Sequence, residues 1–194
     1  MKPHDSELEL SQRQALPSEI AFLRDRYPQT TWQDHENYGE LAAFWLEVHT
    51  SLRAGGRVLQ RITHEFREGQ WPIAAFQQRF TPALNHYLRH LEGHHQIEDQ
   101  HYFPRFRRLD RRMVRGFDLL ENDHDLIHEE LVTTVETARS FIESLERQND
   151  TTRRTADRYI DRADRLLRLL ERHLTDEEDL VIPAILEYTE RPLR

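Results

Sequence analysis

Histidine and carboxylate residues recur in this sequence at a spacing that suits metal binding. The stretches HHQIEDQHYFP, which begins at His94, and HLTDEEDLVIP, which begins at His173, each place a carboxylate four residues after the histidine and a proline six residues later. Residues four apart on an α-helix lie on one face, so both side chains of each pair can reach the same point. Imidazole and carboxylate groups are ligands of zinc and iron in proteins. The repeat therefore indicates either metal binding or a simple histidine–carboxylate surface pair.

The elements that must position these residues are helices. Apolar residues recur every three or four positions over long windows, and the chain has only six glycines. This pattern predicts an all-α protein with four amphipathic helices, the first over about 36–68. Polar residues lie on the apolar stripes of all four helices. They are His49 on the first helix, His94 and Glu98 on the second, His124 and His128 on the third, and His173 and Glu177 on the fourth.

The predicted turns place these polar residues at one depth. We expect an up-down-up-down antiparallel four-helix bundle, in which two residues at equal depth are equally far from the turn that joins their helices. The midpoints between the polar residues of successive helices fall near Pro72, between Pro104 and Gly116, and near Asp150. Each of these places is a turn by its own composition, and Pro104 should stop or bend the second helix. The seven residues should therefore converge inside the bundle.

Five imidazoles and two carboxylates are too many ligands for one structural zinc ion, which takes four. Two six-coordinate ions fit better if both carboxylates and an oxo or hydroxo group bridge them, and one ligand position then stays open for a small molecule. Imidazole suits iron. Because the chain has no cysteine, nitrogen and oxygen must supply every ligand. The alternative is a layer of hydrogen-bonded polar residues in the core.

These motifs carry a resemblance to a known family. With His49, HHQIE, HDLIH and HLTDEE, the chain resembles the hemerythrin-like (HHE cation-binding) family over about residues 35–189. The resemblance implies a four-helix bundle around a non-haem di-iron centre that binds dioxygen, with members tied to oxygen storage, oxygen or nitric oxide sensing, iron handling and peroxide removal. It also implies that one iron is held by His128, His173 and a third imidazole. Other divalent metals could occupy the site in the isolated protein.

Some ligand positions stay open at this point. Further candidates, as alternative ligands or as hydrogen-bonding partners of the ligands, are His101, Glu178, His95 and His90. The internal repeat favours Glu177 over Glu178, because Glu98 and Glu177 both stand six residues before a proline. His95 is rotated off the stripe that carries its neighbour, which favours a supporting or surface role. His101 lies on the stripe and could bind metal or contact Glu98.

Three classes of function fit such a site. We expect a di-iron protein that binds dioxygen, nitric oxide or peroxide at an open iron position without being an enzyme. The first alternative is a di-iron oxidase, a peroxide-consuming enzyme or a ferroxidase-like enzyme, and the second is a regulatory module that responds to metal or redox state. Ferritin-like enzymes use Glu-x-x-His on two helices. Glu98 and His101 match that spacing, but the fourth helix has no second copy.

Composition limits the partners and the location. The net charge of -8 argues against a nucleic-acid partner. No apolar run is long enough for a membrane span, and the acidic start MKPHDSELELSQRQ is unlike a signal peptide, so we expect a cytoplasmic protein. The expected organisation is an arm over 1–34 with at most one short helix around Glu19 to Asp25, the hemerythrin-like bundle over 35–189 and a tail over 190–194. Protein partners are left open, a homodimer among them.

Overall fold

The computed structural model describes residues 8–147 and 151–193, and the regular secondary structure of these residues is helical. The α-helices are α1 (Glu40–Arg67), α2 (Ile73–Ile97), α3 (Phe103–Leu109), α4 (Val114–Arg147) and α5 (Thr151–Tyr188). A π-helical turn, Glu98–Tyr102, joins α2 directly to α3, so the described residues form four long helical stretches. These described ranges contain no strand, which confirms the all-α prediction and is consistent with a helical bundle. No helix among them is long and apolar enough to cross a membrane.

Pro104 does not end the second helical stretch. A proline in a helix lacks a backbone donor, and its ring clashes with the carbonyl group four residues earlier, here that of Gln100. That carbonyl belongs to the π-helical turn, whose wider spacing includes a hydrogen bond from the Phe103 N–H group to the Glu98 carbonyl oxygen. The π-helical turn therefore lies where the proline ring would most disturb an α-helix, and it contains Glu98.

The described residues form two compact units. Unit 1 comprises those within Met1–Thr50, His94–Asp125 and Leu169–Arg194, and unit 2 comprises those within Ser51–Gly93 and Leu126–Arg168. Unit 2 has an aromatic core in which the rings of Phe66 and Phe76 stack 4.2 Å apart and those of Phe76 and Phe80 stack 4.9 Å apart. Unit 1 has an apolar core to which the N-terminal segment, α1, α3, α4 and α5 all contribute.

The N-terminal segment, residues 8–34, packs into the core of unit 1. Its buried side chains include Leu16, Ile20, Leu23 and Trp32. Where one short helix was expected around Glu19 to Asp25, the chain makes consecutive turns, and a 3-10 helix follows at Gln29–Thr31. Residues 181–186 of α5 are buried without exception. A helix can be apolar on all sides only when other elements cover each side, and the N-terminal segment is one of these.

The C-terminal residues also belong to unit 1. The Glu190 carboxylate accepts hydrogen bonds from the backbone N–H groups of Leu41 (2.7 Å) and Ala42 (3.3 Å) in the first turn of α1, where N–H groups lack helical partners. This contact fits the observed start of α1 at Glu40, later than the predicted residue 36. Residues 191–193 of the expected tail form a 3-10 helix, Arg191–Leu193, in which Leu193 is buried. The predicted turn near Asp150 lies outside the described residues.

Candidate metal centre

Two groups of potential metal ligands lie in unit 1. The three-histidine group consists of His95, His124 and His173, and the mixed group consists of His49, His94, Glu98 and Glu177. Within each group, the ligand atoms lie within 4.8 Å of one another. All seven side chains are at most 8% exposed. Five imidazoles and two carboxylates are the ligand types and numbers that the sequence predicted, although one histidine differs.

Helical spacing explains how these side chains reach the interior. On α1, His49 follows Ala42 and Trp45 on one buried stripe. On α5, His173 and Glu177 interrupt a stripe formed by Leu166, Leu170, Leu180 and Ala184, all of them buried. Because residues three and four apart share a helix face, apolar neighbours that must be buried carry the polar residues inward with them.

The two glutamates connect the groups. The Oε1 atom of Glu177 lies 3.2 Å from Nε2 of His49, and its Oε2 atom lies 3.2 Å from Nε2 of His173. Similarly, Oε1 of Glu98 lies 3.1 Å from Nδ1 of His94, and its Oε2 lies 3.6 Å from Nε2 of His124. Each carboxylate therefore directs one oxygen to the mixed group and the other to the three-histidine group.

Further carboxylates contact the outward-facing nitrogens of three imidazoles. The pairs are His49 Nδ1 with Glu178 Oε1 (2.9 Å), His124 Nδ1 with Asp99 Oδ1 (2.8 Å), and His173 Nδ1 with Asp123 Oδ2 (3.5 Å). A carboxylate on one ring nitrogen holds the proton there, fixes the ring and leaves the opposite nitrogen free to bind metal. In addition, the indole N–H group of Trp45 donates to Oε1 of Glu177 at 2.6 Å.

The two central carboxylates have opposite pKa shifts. Burial and the neighbouring charge of Glu177 raise the pKa of Glu98 well above its ordinary value. Burial also acts to raise the pKa of Glu177, but the adjacent His49 and His173 outweigh it and lower that pKa well below its ordinary value. The shifts have opposite signs because two adjacent buried carboxylates do not readily ionise together, and the imidazoles stabilise the charge on Glu177.

The imidazoles likewise include rings with lowered pKa values and rings with raised pKa values. Burial lowers the pKa of His94 to about 3 and also lowers the pKa values of His95 and His124, so these rings are neutral. For His173, burial is outweighed by the adjacent carboxylates of Asp123 and Glu177, which raise its pKa to about 9. Burial is likewise outweighed at His49, whose pKa the adjacent glutamates raise. Neutral imidazoles have a lone pair available for a metal, whereas the protonated groups must first release a proton.

Several buried polar atoms in the groups have no hydrogen bond within the described parts of the chain. They are Nε2 of His49, His94 and His95, both side-chain oxygens of Glu98, and Oε2 of Glu177. Leaving a buried polar group unpaired costs about 1–3 kcal/mol, and more if the group is charged. Unpaired nitrogen and oxygen lone pairs that converge on one place are what a bound cation would satisfy, so the residues present fit a metal site.

The structure does not bring His128 into either group. Its side chain is 57% exposed, belongs to unit 2 and lies 3.3 Å from Oε2 of Glu92. The buried stripe of α4 runs from His124 to Ile127, which is fully buried, so that the next residue is turned outward. His95 takes the place predicted for His128. It follows the buried Leu91 by four residues and precedes Glu98 by three, and that spacing in the sequence was the available signal.

The remaining candidates lie in different surroundings. His101 is exposed on the π-helical turn, and His90 lies in unit 2, outside both groups. Glu178 contacts His49, as described above, while Glu177 belongs to the mixed group. Asp176 is buried but faces two arginines, Arg13 and Arg172, at 2.6 Å each.

Four residues around the groups were not predicted as part of the site: Asp99, Asp123, Trp45 and Arg13. Asp99 and Asp123 each adjoin a predicted ligand in the sequence, so a search for acids beside the ligands would have found them. Trp45 lies one turn before His49 and could have been found in the same way. Arg13 lies far from the motifs and gives no signal of its own, because only the fold brings it to Asp123 and Asp176.

Comparison with known proteins identifies a family to which the chain belongs. The model of the hemerythrin HHE cation-binding domain matches residues 40–185, which is most of the chain and spans every residue of the two ligand groups. No curated protein and no solved structure gave a significant match.

Proposed function

Because the chain belongs to the hemerythrin HHE cation-binding domain family, we propose that its two ligand groups bind a pair of iron ions and that the loaded protein binds dioxygen or a related small ligand. The observation that carries this proposal is the position of Glu98 and Glu177. The two oxygens of each carboxylate are divided between the groups, as a bridge between two cations requires. A single ion would leave one of the groups unused.

The ligand count assigns different tasks to the two ions. His95, His124 and His173 would hold one ion, His49 and His94 would hold the other, and the two glutamates with an oxo or hydroxo group would join them. The ion with three imidazoles then has a full set of six ligands, whereas the ion with two has one position open. When bound, the iron pair supplies that open position for dioxygen, nitric oxide or peroxide.

The protein residues prepare this site. The carboxylates of Glu178 and Asp99 fix the rings of His49 and His124 by hydrogen bonds, and the indole of Trp45 holds Glu177. Burial excludes water from the residues of the two ligand groups, which strengthens their interactions with a cation. We further propose that the four long helical stretches run up, down, up and down as an antiparallel bundle, the arrangement in which all four contribute side chains to one site.

The proposed function is tested by metal analysis and by an anaerobic-to-aerobic optical titration. We expect two iron ions per chain, an oxygenated spectrum on exposure to air, and return to the starting spectrum on degassing. Continued consumption of hydrogen peroxide or of ferrous iron would identify an enzyme instead and would overturn the binding function. A chain that takes up no more than one iron ion would contradict the two-metal site.

A matched pair of variants connects the result to the site. Glu98→Gln should lose iron and the optical change, because an amide cannot supply two anionic oxygens to two cations. Glu92→Gln changes a glutamate of α2 whose side chain is 42% exposed, and it should keep both properties. Equal iron content in the two variants would show that Glu98 does not hold the metal.

A further inference from the structure

Arg13 of the N-terminal segment is buried beside the metal groups. The residue is only 5% exposed, although arginine is almost never fully buried unless it is paired. Removing a guanidinium group from water is unfavourable unless surrounding acceptors satisfy it. The buried guanidinium group of Arg13 therefore requires hydrogen-bond acceptors around it.

The guanidinium group joins two helices. One edge donates to both oxygens of Asp123 on α4, through Nη1 at 3.1 Å and through a short hydrogen bond from Nη2. Its Nε atom donates to Oδ2 of Asp176 on α5 at 2.6 Å, and Nη1 also donates to the Leu8 carbonyl oxygen at 2.8 Å. A two-pronged contact of this kind fixes the orientation of a carboxylate as well as its distance, which a lysine could not do.

Both partners of Arg13 adjoin the metal ligands. Oδ2 of Asp123 is the atom that faces Nδ1 of His173 at 3.5 Å, and the Nε2 atom of the same ring faces Glu177 and His124. Asp176 directly precedes Glu177 in α5 and is held from its other side by Arg172. Arg13 therefore contacts Asp123, and Asp123 in turn contacts the His173 imidazole.

Another arginine of the same segment provides a comparison. Arg24 contacts Asp179 of α5 at 3.2 Å, so it too ties the N-terminal segment to that helix. Its side chain is 26% exposed, and Asp179 forms no hydrogen bond or ion pair with a residue of the two ligand groups among the described residues. Arg13 and Arg24 therefore share a structural role, but only Arg13 is connected to the imidazole of a proposed ligand.

We propose that Arg13 is a positioning residue of the metal centre, which holds the Asp123 carboxylate so that the His173 ring presents Nε2 to the metal. The inference rests on the proposed function. It makes the N-terminal segment part of the site, even though this segment lies outside the residues that the family model matches. Partners that orient a ligand in this way typically change metal affinity by about 10- to 100-fold when they are removed.

The test compares Arg13→Lys with Arg24→Lys in the full chain. Both variants keep the positive charge and lose the planar guanidinium group. Anaerobic titration with Co(II) reports the number and affinity of the bound ions, and the visible spectrum of bound Co(II) reports the ligand geometry. We expect Arg13→Lys to bind one of the two ions about 10- to 100-fold more weakly and with an altered spectrum. Arg24→Lys should match the wild type.

The free energy of unfolding of the metal-free variants distinguishes the positioning of His173 from a general effect on stability. Equal spectra and affinities for Arg13→Lys and the wild type would overturn the inference, and so would the same loss of affinity in Arg24→Lys. If Arg13→Lys does not fold, Asp123→Asn is compared with Asp179→Asn, and only the former should change the spectrum. If the wild type itself binds fewer than two ions, the proposed function fails; if it binds two and the variants do not differ, only the role of Arg13 fails.

Discussion

At the scale of single residues, the adjacent histidines His94 and His95 determine how the ligands are shared between the groups. Neighbouring residues on a helix point in different directions, so normally only one of the two lies on a given buried stripe. Here both flank the buried stripe that runs through Leu91 and Glu98, at spacings of three and four residues. One ring therefore joins the mixed group while the other stacks on His124, with ring centres 4.0 Å apart in the three-histidine group.

This arrangement predicts different effects for two histidine substitutions. His95→Ala should bind only one iron ion at concentrations where the wild type binds two, because it removes one of three imidazoles from a buried group. His128→Ala should keep both ions, because its side chain is exposed and contacts Glu92. Iron analysis after gel filtration measures the difference. Loss of metal in His128→Ala, with full loading of His95→Ala, would favour the assignment predicted from the family motif.

At the scale of elements, the N-terminal segment supplies part of the core of unit 1. Trp32 is 3% exposed, packs in the core cluster, and donates a hydrogen bond from its indole to the Tyr27 carbonyl oxygen at 2.8 Å. A solvated arm would have no reason to bury a tryptophan, because this side chain gains stability only when its apolar surface leaves water. The segment is thus a structural element of unit 1.

The packing of this segment can be measured by a pair of aromatic substitutions. Trp32→Ala should lower the free energy of unfolding by about 3–5 kcal/mol, as expected for a large side chain removed from a core. Phe44→Ala on α1 removes a ring that is 57% exposed and should change it by less than about 0.5 kcal/mol. Denaturant unfolding of the metal-free proteins gives both values. Similar small effects would mean that the segment does not pack as described.

At the scale of the whole molecule, metal binding should be coupled to proton release. Ordinary histidine pKa values would place the loss of metal near pH 6 to 6.5. The pKa of His173 is raised to about 9 in the metal-free protein. Loss of metal should therefore occur at a higher pH, because the proton of His173 must leave before Nε2 can bind a cation. The raised pKa values of His49 and Glu98 act in the same direction.

We therefore expect metal affinity to increase as the pH rises from about 6.5 to about 9, as measured by competition with a chelator. The stability of the metal-free protein should change in the opposite sense. Because the folded-state pKa of His173 exceeds the unfolded value of 6.5, its contribution is fully present below pH 6.5 and is lost as the pH rises through about 9. A metal affinity that is constant over this range would contradict the coupling.

Much of this protein could be predicted from local patterns. Apolar spacing of three and four residues predicted the helices, since it reflects the geometry of one helix and needs no tertiary information. The pairs His94–Glu98 and His173–Glu177 were recognisable for the same reason, and the family they indicate is confirmed by a match over residues 40–185. The start of α1 was predicted less well, because contacts such as that of Glu190 with α1 come from distant parts of the chain.

The sequence by itself determined the helical class, the family and the kinds of ligand available, because these depend on residue types and on spacing within single helices. Only the tertiary structure decided which of two possible histidines, His95 or His128, turns inward, because a small rotation of a helix moves a residue between interior and solvent. It also decided that Arg13 reaches Asp123, 110 positions along the chain. Contacts between distant segments depend on how all the elements pack together, and no local spacing encodes them.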